Sequence, residues 1–281
     1  MSSATAWAEA PCVFLPSGPN PVVVAVIDSG LDVRHPFFSS SLWTNPGETG
    51  LDEFGRDKAT NGVDDDGNGL VDDVHGWNFA QGNADLTDES GHGTHVAGLV
   101  GGYPQMSRAS SGVRFMTLKY CRKKGFPCTA KAFGAAVRYA LDQGAHLIHI
   151  SGGGYEPAES ERRLFAEASA RGVVVVSASG NKKPLDHSRF FYPSSYGYAS
   201  LFSVTATDAH GVLLNTSNLP PRGHHYREEG ERVLSTVPGG GVDRMTGTSQ
   251  AAGVFTGKLI AQARQGCVTA ETRVARSTHQ K

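Results

Sequence analysis

Short, continuous apolar segments alternate with helical patterns along most of this chain, and this alternation restricts the fold more than any other feature. The first segment, Val22 to Ile27, is apolar throughout and stops at Asp28. A run without a polar face is typical of a strand that is buried on both sides, as in a parallel sheet. Four similar segments follow, at 113–118, 145–150, 172–178 and 201–206.

Helical patterns occupy the intervals between these segments. Residues 133–141 place their apolar side chains on one helix face, and Gly144 would end that helix. A second pattern around Leu164 and Phe165 ends at Gly172. Strands that alternate with helices form β-α-β units with right-handed crossovers. We therefore predict an α/β fold with a mostly parallel central sheet, whose functional groups gather outside the carboxyl ends of the strands.

The length of 281 residues fits one large domain, expected over 21–281 and preceded by an extended arm at 1–20. Residues 41–90 break the alternation, because they are acidic and rich in glycine and asparagine, and we predict a surface insertion there. Residues 208–245 form a second irregular stretch. No linker divides the chain.

Composition argues against several classes of partner. With 26 Lys and Arg against 27 Asp and Glu, the net charge of −1 demands neither nucleic acid nor an anionic membrane. The run at 22–27 is far shorter than the ~20 residues that span a bilayer, so we expect no membrane span. The first residues lack a basic segment followed by an apolar stretch, so no signal peptide is visible and the compartment stays open.

Three polar residues stand where catalytic groups are expected. Asp28 ends the first strand at the functional edge of the sheet, although an aspartate there is often only a turn former. His92 lies between two glycines at the start of a helix of small residues, where it has room to act as a general base. Ser249 begins another such helix, and a plain N-cap is its alternative role. A serine becomes a nucleophile when a base takes its proton and an acid orients that base.

A metal pair formed by His92 and His95 is the competing explanation of the histidine motif. No glutamate lies between the two, as it does in the zinc-protease helix motif, and no third ligand is signalled. The general-base interpretation is therefore favoured.

The segments around these residues resemble the three catalytic signatures of the subtilisin-like serine protease family, the subtilases. They are VIDSGLD at Asp28, GHGTHVAG at His92 and GTSQAA at Ser249, in the order Asp, His, Ser. The resemblance implies a subtilisin-like fold of three layers, α/β/α, and a subtilase catalytic domain over 21–281. It also implies that Asp28 orients His92, that His92 is the general base, and that Ser249 attacks a peptide carbonyl.

The resemblance extends to residues that would bind the substrate. The strand that leads to Asn181 is similar to the family strand that ends in the oxyanion asparagine, although Asn181 could equally be a turn residue. ISGGG at 150–154 resembles the family edge strand that pairs with the substrate backbone. The expected substrate contacts are Ser151, Gly152, Gly153, Ser179 and Gly180.

The acidic insertion contains the pattern D-x-D-x-N-G at 64–69, and alternating oxygen side chains with a glycine at the turn are typical of calcium loops. His75 stands where an EF-hand loop has its last glutamate. Because the stretch also resembles that of many bacterial subtilases, we expect a structural Ca²⁺, and no cofactor for the chemistry itself. An acidic turn bonded to its own backbone is the alternative. The expected ligands are Asp64, Asp66, Asn68, Asp72 and Asp73.

Four cysteines leave the disulfide state open. Cys121 and Cys128 enclose a short loop, CRKKGFPC, that could close a disulfide, whereas Cys12 and Cys267 lie near the two ends. Without a visible secretory signal, the spacing alone does not decide the pairing.

Several positions depart from the family pattern. Gly253 and Val254 replace the usual Pro and His after the serine, Gln250 replaces a common Met, Gly152 stands where a Leu often sits, and Glu228-Glu229-Gly230 replaces Ala-Pro-Gly. We predict a serine endopeptidase that acts on a peptide or protein substrate through an acyl-enzyme, with a separate pro-segment or inhibitor as a further candidate partner. The departures motivate an alternative, a catalytically degenerate subtilase that binds peptides or a partner without turnover.

Overall fold

A computed structural model describes residues 15–16, 20–122, 128–181, 190–219 and 224–263. Predictions for most of the N-terminal arm and for Cys12 and Cys267 lie outside these residues. Seven strands form the central sheet, and every neighbouring pair runs parallel. The strands are β1 Val22–Asp28, β2 Gly76–Asn78, β3 Val113–Lys119, β4 Leu147–Ile150, β5 Val174–Ala178, β6 Leu201–Thr207 and β7 His224–Glu229.

The order of strands across the sheet is β2-β3-β1-β4-β5-β6-β7, so β1, β4 and β5 are neighbours near its centre. A separate antiparallel hairpin is formed by β8 Val233–Val237 and β9 Gly241–Met245. The predicted α/β fold with a parallel sheet is confirmed.

Helices cover both faces of the sheet. They are α1 His92–Val100, α2 Ala130–Asp142, α3 Glu159–Ala170 and α4 Thr248–Ala263. Successive side chains of β1 enter opposite cores: Val24 and Val26 pack with α1 and α4, whereas Ala25 and Ile27 pack with α2 and α3. This explains why β1 is apolar throughout, and it gives the three-layer architecture. Within the described residues no helix is long and apolar enough to cross a membrane.

Helix α4 packs closely on α1 because of a glycine at one of the departures from the family pattern. A Cβ atom on Gly253 would lie 2.9 Å from Cβ of Leu99 on α1. A glycine inside a helix costs about 1 kcal/mol relative to alanine. Here it allows the two helices to approach, so the change at position 253 has a packing reason.

The sequence did not predict four of the strands. Strand β2 lies inside the insertion at 41–90 and joins the edge of the central sheet. The expectation of an irregular stretch over 208–245 is wrong for β7, β8 and β9. Strand β7 reads HHYREE and is an edge strand that pairs only with β6. It therefore lacks the apolar run that marks a central strand.

Cys121 and Cys128 form a disulfide, with their Cα atoms 4.6 Å apart. The bond joins the segment that follows β3 to the segment that precedes α2. It lies beside the functional edge of the sheet, where β3 ends.

Candidate active site

The carboxyl ends of three neighbouring strands carry predicted site residues. Asp28 is the last residue of β1, Ser151 directly follows β4, and Asn181 lies shortly after β5. His92 begins α1, and Ser249 lies in the first turn of α4, which packs on α1. The site therefore lies outside the carboxyl edge of the parallel sheet, where the alternation of strands and helices places function.

Asp28 and His92 are hydrogen-bonded to each other. The Asp28 Oδ1 atom lies 2.8 Å from Nδ1 of the His92 ring. The same oxygen accepts the N–H of Ser29 at 2.7 Å, which fixes the carboxylate at the end of β1. A carboxylate beside Nδ1 holds the proton on that nitrogen, so Nε2 is left to accept another.

The two pKa shifts of this pair are opposite in direction and have the same cause. Burial by itself raises the pKa of Asp28, but the charge and hydrogen bond of His92, together with the Ser29 N–H, bring it below 3.8. Burial by itself lowers the pKa of His92, but the Asp28 carboxylate outweighs it and raises the value above 6.5. Each partner stabilises the charged form of the other.

The first turn of α1 is pressed against the loop that follows Asp28. A Cβ atom on Gly93 would lie 2.2 Å from the carbonyl oxygen of Gly30 and 3.2 Å from Cβ of Asp28. Only a glycine fits at that distance, and the close approach carries the neighbouring His92 to the carboxylate.

Asp88, which the sequence analysis missed, fastens α1 to this loop. Its buried carboxylate accepts the N–H of Gly91 at 2.9 Å, the N–H of Thr94 at 2.8 Å and the hydroxyl of Ser29 at 2.8 Å. It thus satisfies free N–H groups at the helix N-terminus, where a negative charge is favourable. An acidic residue just before the first turn of a helix was the available signal.

Ser249 is 4% exposed, and its hydroxyl donates to the backbone carbonyl of Ser151 at 3.2 Å. Ser151 lines the same cavity as Asp28 and His92. Among the hydrogen bonds of the described residues, the structure joins Asp28 to His92 and Ser249 to Ser151, and none joins Ser249 to His92. The role of Ser249 as nucleophile stays a prediction.

Asn181 is fixed to the start of α4. Its Oδ1 atom accepts the N–H of Thr248 at 2.8 Å, and the N–H of Gly180 donates to the Thr248 hydroxyl at 3.2 Å. Because Oδ1 is held, the donor end of the amide is oriented as well. This arrangement suits an amide that donates to an oxyanion beside Ser249, a role that stays a prediction.

His149 on β4 is a second residue that the sequence analysis missed. It is 0% exposed, with Nδ1 2.9 Å from the Thr256 hydroxyl and Nε2 2.9 Å from the Ser151 hydroxyl. Because Thr256 donates to the carbonyl of Ala252, it accepts from Nδ1, and Nε2 then accepts from Ser151. Burial lowers the pKa of His149 to about 4, so the ring is neutral. It links α4 to the residue that Ser249 contacts.

Three of the predicted substrate contacts, Ser151, Gly152 and Gly153, line a cavity of about 730 Å³ beside Asp28 and His92. The Tyr120 hydroxyl fills the space beside Gly152, since a Cβ atom there would lie 1.8 Å from it. This explains the absence of a side chain at that position.

The other two predicted contacts, Ser179 and Gly180, bond to the loop at Asn218 instead. The Ser179 hydroxyl donates to the Asn218 carbonyl at 2.9 Å, and the Gly180 carbonyl accepts the Asn218 N–H at 2.9 Å. Their contact with a substrate stays a prediction.

The acidic insertion brings three carboxylates together. Glu48, Asp64 and Asp66 each offer an oxygen, and these oxygens lie within 4.8 Å of one another. Glu48 is 0% exposed; its Oε1 accepts the N–H of Asp65 at 2.9 Å, and its Oε2 is buried without a hydrogen-bond partner. An unpartnered carboxylate oxygen beside like charges is unfavourable unless a cation joins it. Oxygen ligands of this kind fit Ca²⁺.

The remaining expected ligands are engaged elsewhere. The buried Asp73 accepts hydrogen bonds from the Tyr139 hydroxyl at 2.6 Å, from Asn45 at 2.7 Å and from Asn68 at 3.0 Å. Asp72 accepts a backbone N–H within the loop at 3.2 Å. The structure therefore places Asp72 and Asp73 outside the cluster of carboxylates, and their role as ligands, like that of Asn68, stays a prediction.

The relatives found by comparison with known proteins agree in being named as proteases. A model of the subtilase family matches residues 20–273 of the chain. The cell wall-associated protease of Bacillus subtilis (strain 168) is 32% identical over 196 residues, which are 66% of this chain and 21% of that protein. The halolysin-like extracellular serine protease Nep of Natrialba magadii is 27% identical over 255 residues, 90% of this chain and 40% of that protein. The chain thus spans less than half the length of these relatives.

Solved structures of similar fold are also proteases. A cold adapted subtilisin-like serine proteinase superposes with a TM-score of 0.66 at 20% identity, over 89% of this chain and 78% of that one. The patellamide maturation protease PatA superposes with a TM-score of 0.62 at 23% identity, over 88% of this chain and 79% of that one. At these identities the likeness shows the fold.

Proposed function

The chain belongs to the subtilase family, and on that premise we propose that it is a serine endopeptidase in which Asp28, His92 and Ser249 form the catalytic triad. The names of its relatives support a serine protease. The observation that carries the proposal is the hydrogen bond of 2.8 Å between Asp28 and His92 at the sheet edge where α4 presents Ser249. The binding-only alternative is not favoured, because the relatives described above are named as proteases.

The chemistry begins when the Ser249 hydroxyl turns from the Ser151 carbonyl to Nε2 of His92. His92 takes the hydroxyl proton as the Ser249 oxygen attacks the peptide carbonyl carbon, and Asp28 stabilises the imidazolium that forms. The oxyanion of the tetrahedral intermediate accepts hydrogen bonds from the Asn181 amide and the Ser249 N–H. His92 then gives its proton to the leaving amine as the peptide C–N bond breaks, and the acyl group remains as an ester on Ser249.

The second half of the cycle releases the acyl group. Water attacks the ester carbonyl on Ser249, His92 again accepts the proton, and the ester bond breaks to give a carboxylic acid and the free hydroxyl. The substrate backbone adds as a strand to the segment at 151–154, which lines the cavity beside His92.

A structural Ca²⁺ is the second part of the proposal. Glu48, Asp64 and Asp66 would hold it, because they supply the unpartnered buried oxygen and the converging carboxylates. The two positive charges of the ion would offset most of the negative charge of the three carboxylates and brace the insertion, and no catalytic step passes through it.

The test is hydrolysis of a denatured, casein-like protein by the wild-type chain, with Ser249→Ala and Ser160→Ala as a matched pair. Ser160 is an exposed serine on α3 that does not line the cavity beside Asp28 and His92. We expect Ser249→Ala to lose about 10⁶ in kcat and Ser160→Ala to keep the wild-type rate. Equal rates in all three proteins would overturn the proposed nucleophile.

A further inference from the structure

The cavity of about 730 Å³ beside Asp28 and His92 has a negative interior. Among the described residues that line it, the carboxylates are Asp28, Glu156 and Glu161, and the only Lys or Arg is Arg122. The Tyr120 hydroxyl responds to this negative charge. Burial raises the pKa of Tyr120 above its ordinary value, and the charges of Asp28 and Glu161 raise it further. Asp28 is paired with His92, which also lines the cavity, and the two glutamates against the guanidinium of Arg122 still favour a cationic guest.

Glu161 differs from the acidic residues around it on α3. Glu159 pairs with Arg162 and Arg163, whereas no ion pair joins Glu161 to any Lys or Arg of the described residues. Its contact is the Tyr196 hydroxyl, which donates to Oε2 at 3.2 Å. Burial raises the pKa of Glu161, because this single hydrogen bond only partly replaces water.

Glu167 completes the contrast on α3. Arg171 at the end of α3 and Arg138 on the neighbouring helix α2 both form ion pairs with the Glu167 carboxylate. The helix therefore neutralises its other outward carboxylates with its own or neighbouring arginines, and in the described part of the chain it leaves the one that lines the cavity without an ion pair.

The remaining walls suit a long side chain with a charged end. Aromatic residues Tyr120, Phe133 and Phe191 line the cavity together with Glu161. Lysine and arginine carry apolar stems that pack on such surfaces while the charged group reaches a polar partner. The cavity also adjoins 151–154, the segment expected to pair with the substrate backbone, so a side chain of a bound peptide has direct access to it.

We propose that this cavity binds a lysine or arginine side chain of the peptide substrate and that the Glu161 carboxylate is the specificity-determining group. The inference rests on the proposed function, since it names the substrate class of the same site.

The experiment measures kcat/KM for quenched-fluorescence peptides in which one lysine moves through the positions on both sides of the cleaved bond. Each peptide has counterparts with glutamine and with glutamate at the same place. At one position we expect lysine to exceed glutamine by about tenfold, a free-energy difference of about 1.4 kcal/mol. Glu161→Gln, which keeps the shape of the side chain, is expected to bring this ratio to within about twofold.

Glu159→Gln is the matched control, because Glu159 lies on the same helix and pairs with arginines outside the cavity. It is expected to keep the wild-type ratio. The inference is overturned if no position favours lysine, if glutamate is preferred at that position, or if the preference survives in Glu161→Gln. Thermal melting of each variant shows whether it is folded.

Binding separates a failure of this inference from a failure of the proposed function. The same peptides, fluorescently labelled, are titrated into Ser249→Ala and into the double variant with Glu161→Gln, and anisotropy gives Kd. Tighter binding of the lysine peptide that disappears in the double variant supports the inference even if the wild-type chain hydrolyses nothing, in which case only the proposed activity fails. Equal binding of lysine and glutamine peptides overturns the inference, whatever the hydrolytic rate.

Discussion

The sheet edge that carries Asp28 and the acidic insertion around Asp64 are held in place by different forces. At the edge, Val24 and Ile27 are 0% exposed and pack into the two cores on either side of β1. In the insertion, Asp64 accepts the backbone N–H groups of three residues within its own loop, at 2.7–3.1 Å. The first region takes its geometry from buried apolar surface, and the second from polar side chains that bond their own backbone.

This difference separates the sheet edge, where we propose catalysis, from the insertion, where we propose calcium binding. The proposed catalytic groups at the edge are positioned by the strands and helices of the core, and by buried polar anchors such as Asp88. The insertion gathers carboxylates that repel one another, and burial together with the nearby aspartates raises the pKa of Glu48. We therefore expect changes at the edge to act on the rate, and changes in the insertion to act on stability.

After Ser249→Ala, the largest effect on the rate is expected for Asp28→Asn. The amide cannot hold the proton on Nδ1 of His92 as a carboxylate does, so the ring adopts the wrong tautomer for accepting the serine proton. We expect kcat to fall by about 10⁴ with little change in the unfolding temperature. Steady-state kinetics and circular dichroism measure the two quantities, and a loss of rate that merely follows a loss of folded protein would contradict the account.

Asn181→Ala comes next in size. It removes the amide that we propose donates to the oxyanion, while the Ser249 N–H remains. We expect kcat to fall by about 10²–10³ and KM to stay nearly constant, because the interaction is made in the transition state. A rise in KM at constant kcat would show instead that Asn181 only binds the ground state.

The pH dependence tests the coupling of His92 to Asp28. Since the neutral ring is the base, kcat/KM should rise about tenfold per pH unit below the His92 pKa and level off above it. The midpoint should lie above 6.5, because the Asp28 carboxylate raises this pKa.

Stability moves in the opposite direction over the same pH window. The pair's contribution through His92 is fully present below the unfolded pKa of 6.5 and is lost as pH rises through the higher folded value. Asp28 behaves conversely, since its lowered pKa stabilises the fold above 3.8 and this contribution is lost as pH falls through the folded value. A kinetic midpoint below 6.5 would show that the pair is not coupled in solution.

The smallest effect on the chemistry is expected in the insertion. Calcium at 100 times its Kd should stabilise the wild-type chain by about 2.7 kcal/mol, seen as a higher unfolding temperature than in a chelator. Glu48→Gln should reduce this calcium-dependent rise, whereas Glu53→Gln, an exposed change in the same insertion, should not. Equal unfolding temperatures of the wild-type chain with calcium and with chelator would contradict the proposed calcium site.

The parts that could be predicted from the sequence are those that burial dictates. Predominantly apolar segments located β1, β3 and β6 to within one residue at their ends, because a strand covered on both faces buries nearly all of its side chains. Strand β7 was not predicted, because it lies at the edge of the sheet and its polar sequence lacks an apolar run. The motif around His92 indicated the start of α1, where the structure places it.

Polar partners that come from distant parts of the chain could not be predicted. Glu48 carries no motif of its own, and only the fold brings it to Asp64 and Asp66. Likewise, nothing in the loop sequence indicates that Tyr139 of α2 donates to Asp73. A buried polar residue is explained by what bonds it, and its partners become known only when the chain is folded.

The central claim is that the fold assembles Asp28, His92 and Ser249 into a working nucleophile, and covalent capture tests it most directly. Intact-mass spectrometry after reaction with a fluorophosphonate should show a single adduct on Ser249. The adduct should disappear in Ser249→Ala, and Asp28→Asn should slow its formation. A folded wild-type chain that forms no adduct, with or without calcium, would contradict the account.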